Sequence, residues 1–586
     1  MKNTKILIAA AIAAMGVVAV THSYAKEVRS KEAALMRNLT TFNAIVSELG
    51  THYVDSIAPD RAFKAAIEGL LGTVDPYTEY FAEEDQDDLE KMTTGEYGGI
   101  GSYLLSMDSC TVISGPMENS PSARAGLRSG DRLLRVDSID VSKMTSDKVT
   151  KYLRGVPETK VRVTVNRPYV ADSIITVEIT RGKLREPSVP YYRLMPDGTG
   201  YIQLTGFIRD SASEVKRALE EFKASGRLKN VVLDLRGNGG GLLESAVEIA
   251  GYFLPKGTEV VRTKYREGTP DKTYKTTHQP ILPDTPFAIL IDGGTASASE
   301  ILAGAMQDLD RGVLIGSRSF GKGLVQSTRP LPYQGLLKVT VAKYYTPSGR
   351  LIQALDYSRR NEDGSVQRVP DSLTHAYTTA HGRTVRDGGG LQPDSVIDWG
   401  KINALVYNLV RDNWIFNYAT KFAANHKSIA PAEEFVIDDT IYSDFKESIN
   451  PDKFKYDRVM EEGLKQLREM ATAEGYMNDS TRAEFDVMQR LLTHNLDRDL
   501  DTHRDEIAEY LGTEIASRYY YTRGRTGYAL QNDKALRKAK EILNNPDLYA
   551  KMLHRDGKAA NKGETKAKGK NNVKGNGTKT KSTKKR

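Results

Sequence analysis

The hydrophobic and polar positions of the 586-residue chain change their period several times, and each change predicts a different kind of structure. From about residue 27 to residue 92 apolar side chains recur at helical spacing, which predicts a small helical region. Between Gly95 and Ile179 short β-branched runs separated by turns predict a compact β unit, interrupted by one helix at SDKVTKYLRG. Strands and helices then alternate as far as Asp398, and the spacing is helical again from Lys401 to Leu553.

The alternating segment, residues 187–398, predicts a largely parallel sheet covered by helices. Its strands read GYIQLTGF, NVVLDLRG, PFAILIDGG and GVLIG, followed by the alternating strand LLKVTVAKYYT. Its helices read SASEVKRALEEFKAS, GLLESAVEIAGYFL and SASEILAGAMQDL. Catalytic groups in such sheets tend to lie where strands end and helices begin. Candidate chemistry is therefore expected in these strand-to-helix turns.

The first 25 residues have the pattern of a secretory signal. Lys2 and Lys5 precede an apolar run over residues 6–20, and Ser23-Tyr24-Ala25 forms a small-x-small cleavage site. This run of 15 residues is shorter than a membrane span, which favours cleavage over retention as an anchor. The pattern predicts export to the periplasm or cell envelope, with membrane anchoring as the alternative if the segment is kept.

Composition and charge add two constraints. Cys110 is the single cysteine, so the chain has no internal disulfide, and we expect a buried structural role because no histidine neighbours it. The net charge is +7, but residues 557–586 hold eleven Lys or Arg against one Glu. This basic tail has no aromatic residue and is predicted to be a solvated, disordered extension. The alternative is attraction to an anionic envelope surface, whereas nucleic-acid specificity is not expected.

The stretch GSRSFGKGLV, residues 316–325, is close to a phosphate-binding P-loop around Lys322. Gly323 stands where a P-loop has Ser or Thr, and LVQSTRPLP lacks the helical spacing that would supply backbone N–H groups. Apolar runs ending in Asp234 and Asp292 leave a nucleotide-binding interpretation open. The mismatches favour another role for Lys322.

Ser297 is a candidate nucleophile because it lies between a buried strand and a helix, near N–H groups that can stabilise an oxyanion. The same spacing fits a capping box, with Ser297 at N-cap and Glu300 at N3. A lysine can act as base for a serine if burial lowers its pKa. If the segment after Lys322 is extended, Lys322, Leu324 and Gln326 point to one face, where Gln326 could hold the amine.

A third element is the glycine turn NGGG in NVVLDLRGNGGGLLESA. Gly237 and Gly239–Gly241 follow a strand and open a helix, which suits a turn that presents backbone N–H groups. The alternative interpretation is a tight strand-to-helix connection with no further role.

Four ordered motifs resemble one family. LDLRGNGGGLL, GTASASEILAGAMQD, GSRSFGKGLVQ and YYTPSGRLIQ are similar to the core motifs of the carboxyl-terminal processing proteases, serine endopeptidases with a Ser–Lys dyad on a crotonase-like α/β core. The resemblance implies Ser297 as nucleophile, Lys322 as general base and Gln326 as the residue that orients the lysine. It covers about residues 45–398.

The same resemblance implies oxyanion donors and a peptide-binding module. The donors would be the backbone N–H of Ala298 and that of Gly240 or Gly241, and no metal or cofactor is implied. EYGGIGSYLL and NSPSARAGLRSGDRLLRVD resemble a PDZ domain, whose loop Gly99-Ile100-Gly101 would offer N–H groups to a C-terminal carboxylate while the peptide adds as a strand.

The predicted fold is therefore α/β, a crotonase-like protease core with an inserted PDZ domain, plus N-terminal and C-terminal helical regions. The expected segments are a signal peptide (1–25), an N-terminal helical region (26–92), a PDZ domain (93–185), a Ser–Lys peptidase core (186–400), a helical region outside the common core (401–556) and the basic tail (557–586). Residues 354–388 form an insertion relative to the family pattern.

The predicted function is an exported serine endopeptidase that recognises substrate C-termini through its PDZ domain and cleaves peptide bonds with a Ser–Lys dyad. Its expected partners are proteins or peptides with a free C-terminus, and an adaptor lipoprotein is a further candidate. The alternative from another class is a non-catalytic PDZ adaptor or holdase that binds polypeptides.

Overall fold

The computed structural model describes residues 32–83, 93–107, 109–361, 365–456, 459–493 and 495–554. The secretory-signal pattern of residues 1–25 and the basic tail, residues 557–586, lie outside the described residues. The chain divides into two compact units, Met1–Tyr80 and Phe81–Arg586. Within the described parts, no helix combines the length and the hydrophobicity needed to cross a membrane.

The first unit is helical, as its apolar spacing predicts. It contains α1 (32–52) and α2 (Pro59–Leu71), and a short strand, β1 (Glu79–Phe81), follows them. Pro59 occupies the first turn of α2, where its missing N–H costs no hydrogen bond. The rings of Phe42 and Phe63 meet edge to face, 6.3 Å apart, so the two helices pack on each other.

The second unit begins with antiparallel strands that form two sheets, accompanied by two short helices. Val161, Val163 and Val165 are buried while the residues between them are more exposed, so the alternation in KVRVTVNR produces the predicted strand. The strands are β2 (Glu96–Gly99), β3 (Ser102–Met107), β4 (Cys110–Pro116), β5 (Arg132–Val136), β6 (Ile139–Asp140), β7 (Lys160–Asn166), β8 (Ile174–Thr180) and β9 (Gly182–Arg185). The helices are α3 (Pro121–Arg124) and α4 (Ser146–Leu153), and β3 lies at one edge of the main sheet.

A six-stranded sheet forms the centre of the second unit, in the order β10-β11-β12-β15-β16-β23. The first pair is antiparallel and the others are parallel, as the alternation of strands and helices predicts. The strands are β10 (Tyr191–Leu194), β11 (Thr199–Gln203), β12 (Asn230–Asp234), β15 (Phe287–Ile291), β16 (Val313–Gly316) and β23 (Ser395–Val396). One face is covered by α5 (Ser211–Ala224), α6 (Leu243–Gly251) and α7 (Ala298–Asp308).

The other face of this sheet is covered by helices from the C-terminal region, α15 (Lys534–Leu543) and α16 (Pro546–Met552). Leu536, Ile542 and Leu543 pack there against Val232 and Leu290. Two helices of the predicted helical region, residues 401–556, therefore pack directly on the central sheet. They supply the second helical layer because a parallel sheet must be covered on both faces.

Four strands of the second unit belong to another sheet, in which they pair antiparallel. They are β13 (Glu259–Tyr265), β14 (Lys272–Lys275), β17 (Leu324–Pro330) and β18 (Leu336–Tyr345), of which the sequence pattern predicted β18. The 354–388 insertion follows, with β19 (Leu355–Arg360), β20 (Val366–Arg368), β21 (Ala376–Thr378) and β22 (Thr384–Arg386). Buried Arg383 anchors the insertion to the core by an ion pair of 2.6 Å with Asp394 and a contact with buried Asp310.

Most of the remaining helices surround their own hydrophobic core, which includes Leu409, Phe445 and Ile515. The remaining helices are α8 (Ala404–Arg411), α9 (Trp414–Asn425), α10 (Asp439–Ser448), α11 (Val459–Ala473), α12 (Asp479–Leu492), α13 (Leu496–Thr502) and α14 (Arg504–Ala529). In contrast to the others, α11 and α12 contribute no described residue to this core and are joined to each other by the ion pair of Arg468 with Asp486 at 3.0 Å. α14 is kinked at Tyr521, whose φ of 56° and ψ of −149° are not helical.

Candidate active site

Ser297 occupies the turn between β15 and α7 with a strained backbone. Its φ of 56° and ψ of −117° are rarely adopted by a residue with a side chain, and such strain is concentrated at functional sites. Ser297 is half-buried whereas its neighbours Ala296 and Ala298 are buried. The turn therefore leaves this serine accessible in otherwise buried surroundings.

Two groups fix the backbone of Ser297. Its N–H donates to Glu300 Oε2 at 2.9 Å, which is the carboxylate half of the predicted capping box. Its carbonyl accepts from the Tyr344 hydroxyl at 3.2 Å. Burial raises the pKa of Tyr344 well above its ordinary value, so the hydroxyl stays protonated as a donor. Hydrogen bonds thus fix both the N–H and the carbonyl of Ser297.

Lys322 is bound to the same carboxylate as Ser297. Its N–H donates to Glu300 Oε2 at 2.9 Å, while Oε1 accepts from Gly321 N–H at 2.7 Å and from the Ser319 hydroxyl at 2.5 Å. Because one oxygen binds both N–H groups, the backbone nitrogens of Ser297 and Lys322 lie within about 6 Å of each other. The structure therefore brings together the two residues that the sequence placed 25 positions apart.

Glu300 itself is fully buried, with 0% of its surface exposed. Burial raises the pKa of this carboxyl above its ordinary value, and its four hydrogen bonds act in the opposite direction. Sequence reasoning gave Glu300 only a capping role. The spacing S-x-x-E signals the cap, but no local pattern signals the three further donors, which lie about twenty residues away in sequence.

The glycine turn lies directly against Ser297. A Cβ on Gly240, which has φ 101°, would come within 2.8 Å of Ser297 Cβ and 2.9 Å of Ala298 N, so a side chain there would occupy the reaction space. The Gly240 N–H donates to Asn238 Oδ1 at 2.9 Å, and the described residues show no acceptor for Gly241 N–H. Of the two predicted oxyanion donors in the turn, the Gly240 N–H is therefore already bonded, and the Gly241 N–H has no acceptor among the described residues.

Buried Asn238 connects the glycine turn to the serine turn. Its amide donates to Leu204 O at 2.7 Å, and its carbonyl accepts from Ala296 N–H at 3.0 Å and from the Ser299 hydroxyl at 2.9 Å. Ala298 is the first residue of α7, so its N–H has no acceptor within the helix. Hydrogen bonds to Asn238 thus hold the two turns together, and the Ala298 N–H lies next to the serine without a helical acceptor.

The surroundings of Lys322 do not fit a P-loop. A strand, β17, follows the lysine where phosphate binding needs a helix N-terminus. Gly323, the mismatched residue, donates its N–H to Gln353 Oε1 at 2.6 Å, and a Cβ there would lie 3.0 Å from Gln353 N. Gln326 lies on β17 and donates its amide to Thr340 Oγ1 at 3.0 Å. The described residues hold no group of three or more His, Cys, Asp or Glu side chains that could bind a metal ion.

The predicted peptide-binding loop, Gly99-Ile100-Gly101, lies between β2 and the edge strand β3. The carbonyls of Ile100 and Gly101 accept from Ser122 N–H and Met117 N–H, each at 2.8 Å. The free side of β3 faces α4, and Ser106 and Ser146 join strand and helix at the far end through hydroxyls 3.1 Å apart. An edge strand beside a helix is the geometry in which a peptide adds as an extra strand.

Family comparisons match three parts of the chain. Residues 198–357 match "Peptidase family S41", residues 112–167 match "PDZ domain", and residues 405–543 match "Probable PDZ-protease, C-terminal helical domain". The chain is 34% identical over 322 residues to a carboxy-terminal-processing protease of Bartonella bacilliformis, an alignment that covers 54% of this chain and 73% of that protein. This chain belongs to the carboxy-terminal-processing protease family.

This protease is also similar to two other proteins. It is 34% identical over 318 residues to a probable CtpA-like serine protease of Staphylococcus aureus, which covers 54% of this chain and 62% of that protein. A solved photosystem II D1 C-terminal processing protease aligns with 61% of this chain and 86% of its own, at 27% identity and a TM-score of 0.34. The assignment confirms the predicted enzyme class, a serine-type peptidase, and the predicted α/β fold with an inserted PDZ domain.

Proposed function

We propose that this protease is an exported endopeptidase that recognises the C-terminus of a polypeptide substrate and cleaves it with a dyad of Ser297 and Lys322. One observation carries the proposal: a single buried carboxylate oxygen, Glu300 Oε2, binds the backbones of both residues. The strained serine turn and the adjoining glycine turn are what acyl transfer needs beside that pair.

In the proposed mechanism neutral Lys322 removes the proton from the Ser297 hydroxyl as its oxygen attacks the scissile carbonyl. The N–H groups of Ala298 and Gly241 stabilise the negative charge on the carbonyl oxygen. The tetrahedral intermediate collapses when the Lys322 ammonium protonates the leaving amine, which leaves an acyl-enzyme on Ser297. Water then gives a proton to Lys322 as it attacks the ester, and the Lys322 ammonium returns a proton to the Ser297 oxygen when the product acid leaves.

The PDZ domain would supply recognition in this scheme. A C-terminal carboxylate would accept hydrogen bonds from backbone N–H groups of Gly99-Ile100-Gly101, and the last residues of the substrate would pair with β3. A cleft of about 380 Å³ next to this loop is lined by Arg154, Lys183 and Glu96, of which Lys183 and Glu96 form an ion pair at 2.7 Å. Export is supported by the sequence pattern of residues 1–25, and it would place the protease in the periplasm or cell envelope.

The proposal is tested by incubating the purified protein and Ser297→Ala with an unfolded protein such as casein. We expect Ser297→Ala to lose at least about 10⁴-fold in cleavage rate, since removing a serine nucleophile has an effect of this order or larger. Ser213→Ala, on the exposed face of α5, is the control and should keep the full rate. Equal cleavage by wild type and Ser297→Ala would exclude Ser297 as the nucleophile. No cleavage by either protein would favour the holdase alternative.

Recognition of the substrate C-terminus makes a separate prediction. A peptide substrate with a free C-terminal carboxylate should have a kcat/KM roughly 10 to 100 times that of the same peptide amidated at its C-terminus, because charge-assisted hydrogen bonds to the carboxylate are lost. The measurement is the two kcat/KM values at fixed ionic strength. Identical values for the two peptides would exclude carboxylate recognition by the PDZ loop.

A further inference from the structure

The segment Arg518–Asp533 of the C-terminal helical region joins the PDZ domain to the catalytic core. It comprises the second half of α14, with the kink at Tyr521, and the first residues before α15. Its two ends contact different partners. The role of this segment in catalysis rests on the proposed function.

The first end of this segment is anchored on the PDZ domain. Phe416 of α9 packs against Met107 and Val112, at the back of the edge strand that would receive the peptide. The buried Arg518 guanidinium lies 4.5 Å from the centre of the Phe416 ring and donates to the Phe416 carbonyl at 3.2 Å. Thr522, one residue beyond the kink, lies beside the Tyr103 hydroxyl of β3.

The second end contacts the central sheet next to the glycine turn. The Thr526 hydroxyl donates to Gln203 Oε1, at the end of β11, at 3.0 Å. Asp533 Oδ2 accepts from Arg236 Nη1 at 2.7 Å, and both side chains are largely buried, at 11% and 19% exposure. Arg236 also donates to both carboxylate oxygens of Asp234, the last residue of β12. Arg236 is therefore held between the sheet and the helical region by ion pairs on both sides.

Arg236 directly precedes the glycine turn that faces Ser297. The next residue, Gly237, donates its N–H to Asp292 Oδ1 at 2.9 Å, and the chain then reaches Gly240, against the serine. A change in the position of Arg236 therefore shifts the entry to the turn. A displacement of this kind matters because catalysis by backbone N–H groups depends on their placement to within fractions of an ångström.

We propose that Asp533 is a positioning residue for the oxyanion turn: by holding Arg236 against Asp234 it fixes the path of residues 237–241 beside Ser297. The helical region thus completes the catalytic geometry of the core. Asp533 touches neither substrate nor Ser297, so its removal should lower the rate of the chemical step and leave substrate binding unchanged.

The test is the kcat and KM of Asp533→Ser in the full chain. Asp533 also caps α15 by accepting from Leu536 N–H at 2.7 Å, and serine retains that capping while it loses the charge that binds Arg236. We expect kcat to fall about 10-fold with KM within about twofold of wild type. Asp438→Ser is the matched control, because Asp438 caps α10 in the same way and the described residues show no hydrogen bond or ion pair between its side chain and the catalytic core.

A second variant keeps the proposal falsifiable if Asp533→Ser is poorly folded. Arg236→Lys cannot bind both carboxylates through a planar fork and should show the same loss of kcat, and combining it with Asp533→Ser should add little. Wild-type kcat in both single variants would overturn the positioning role, as would a loss confined to KM. This outcome differs from failure of the proposed function, in which Ser297→Ala itself would remain active.

Discussion

Lys322→Arg is expected to abolish peptide cleavage while the protein stays folded. Arginine keeps the positive charge but cannot be deprotonated in a protein, so it cannot take the proton from Ser297. General bases contribute roughly 10² to 10⁴-fold, and we expect kcat/KM to fall about 10³-fold or more. The loss should persist at alkaline pH, because raising the pH does not make the guanidinium neutral.

The control for this substitution is Lys343→Arg. Lys343 is exposed on β18 and pairs in register with Leu324, two residues after Lys322. It therefore lies close to the dyad in the fold, but it is not among the hydrogen-bond partners of Glu300. Its rate should match wild type. Near-normal cleavage by Lys322→Arg would show that Lys322 is not the base.

Glu300→Gln should be almost as damaging, although Glu300 takes no part in the proton transfers. The carboxylate accepts four hydrogen bonds, and an amide can offer only one oxygen in its place. The NH₂ group of the substituted side chain would then face either the N–H groups of Ser297 and Lys322 or the Gly321 N–H and the Ser319 hydroxyl. Each unpaired buried donor costs about 1–3 kcal/mol, so the loops that carry the dyad should separate.

The expected result for Glu300→Gln is a decrease in kcat/KM of about 100-fold together with a lower unfolding midpoint in denaturant. Glu220→Gln, on the exposed face of α5, changes the same functional group without buried partners and should leave both quantities unchanged. If Glu300→Gln cleaves at the wild-type rate, the shared carboxylate does not position the dyad.

The sequence predicted the strands and helices that carry the site because their apolar periods are strong. The buried strand AILI and the spacing after Ser297 placed the serine at a strand-to-helix turn, and the glycine turn was predicted from its position after another buried strand. Both turns follow neighbouring parallel strands of one sheet, so they meet at the same edge.

The contacts that join these turns could not be predicted, because they link residues far apart in sequence. Glu300 fits a cap locally, and only the fold adds Ser319, Gly321 and Lys322 to its partners. The apolar spacing of KALRKAKEIL predicted a helix but did not identify the sheet face that it covers. The apolar spacing of DEIAEYLGTEIASRYYY ended near Tyr521, where the helix is kinked.

The central claim, that Ser297 is the nucleophile and Lys322 its base, is tested most directly by trapping the acyl-enzyme. An azapeptide ester acylates a serine protease and deacylates slowly, so mass spectrometry of the digested protein can locate the carbazyl group. We predict one adduct, on Ser297, absent in Ser297→Ala and formed far more slowly in Lys322→Arg. An adduct on any other residue, or equal rates of acylation in wild type and Lys322→Arg, would contradict the account.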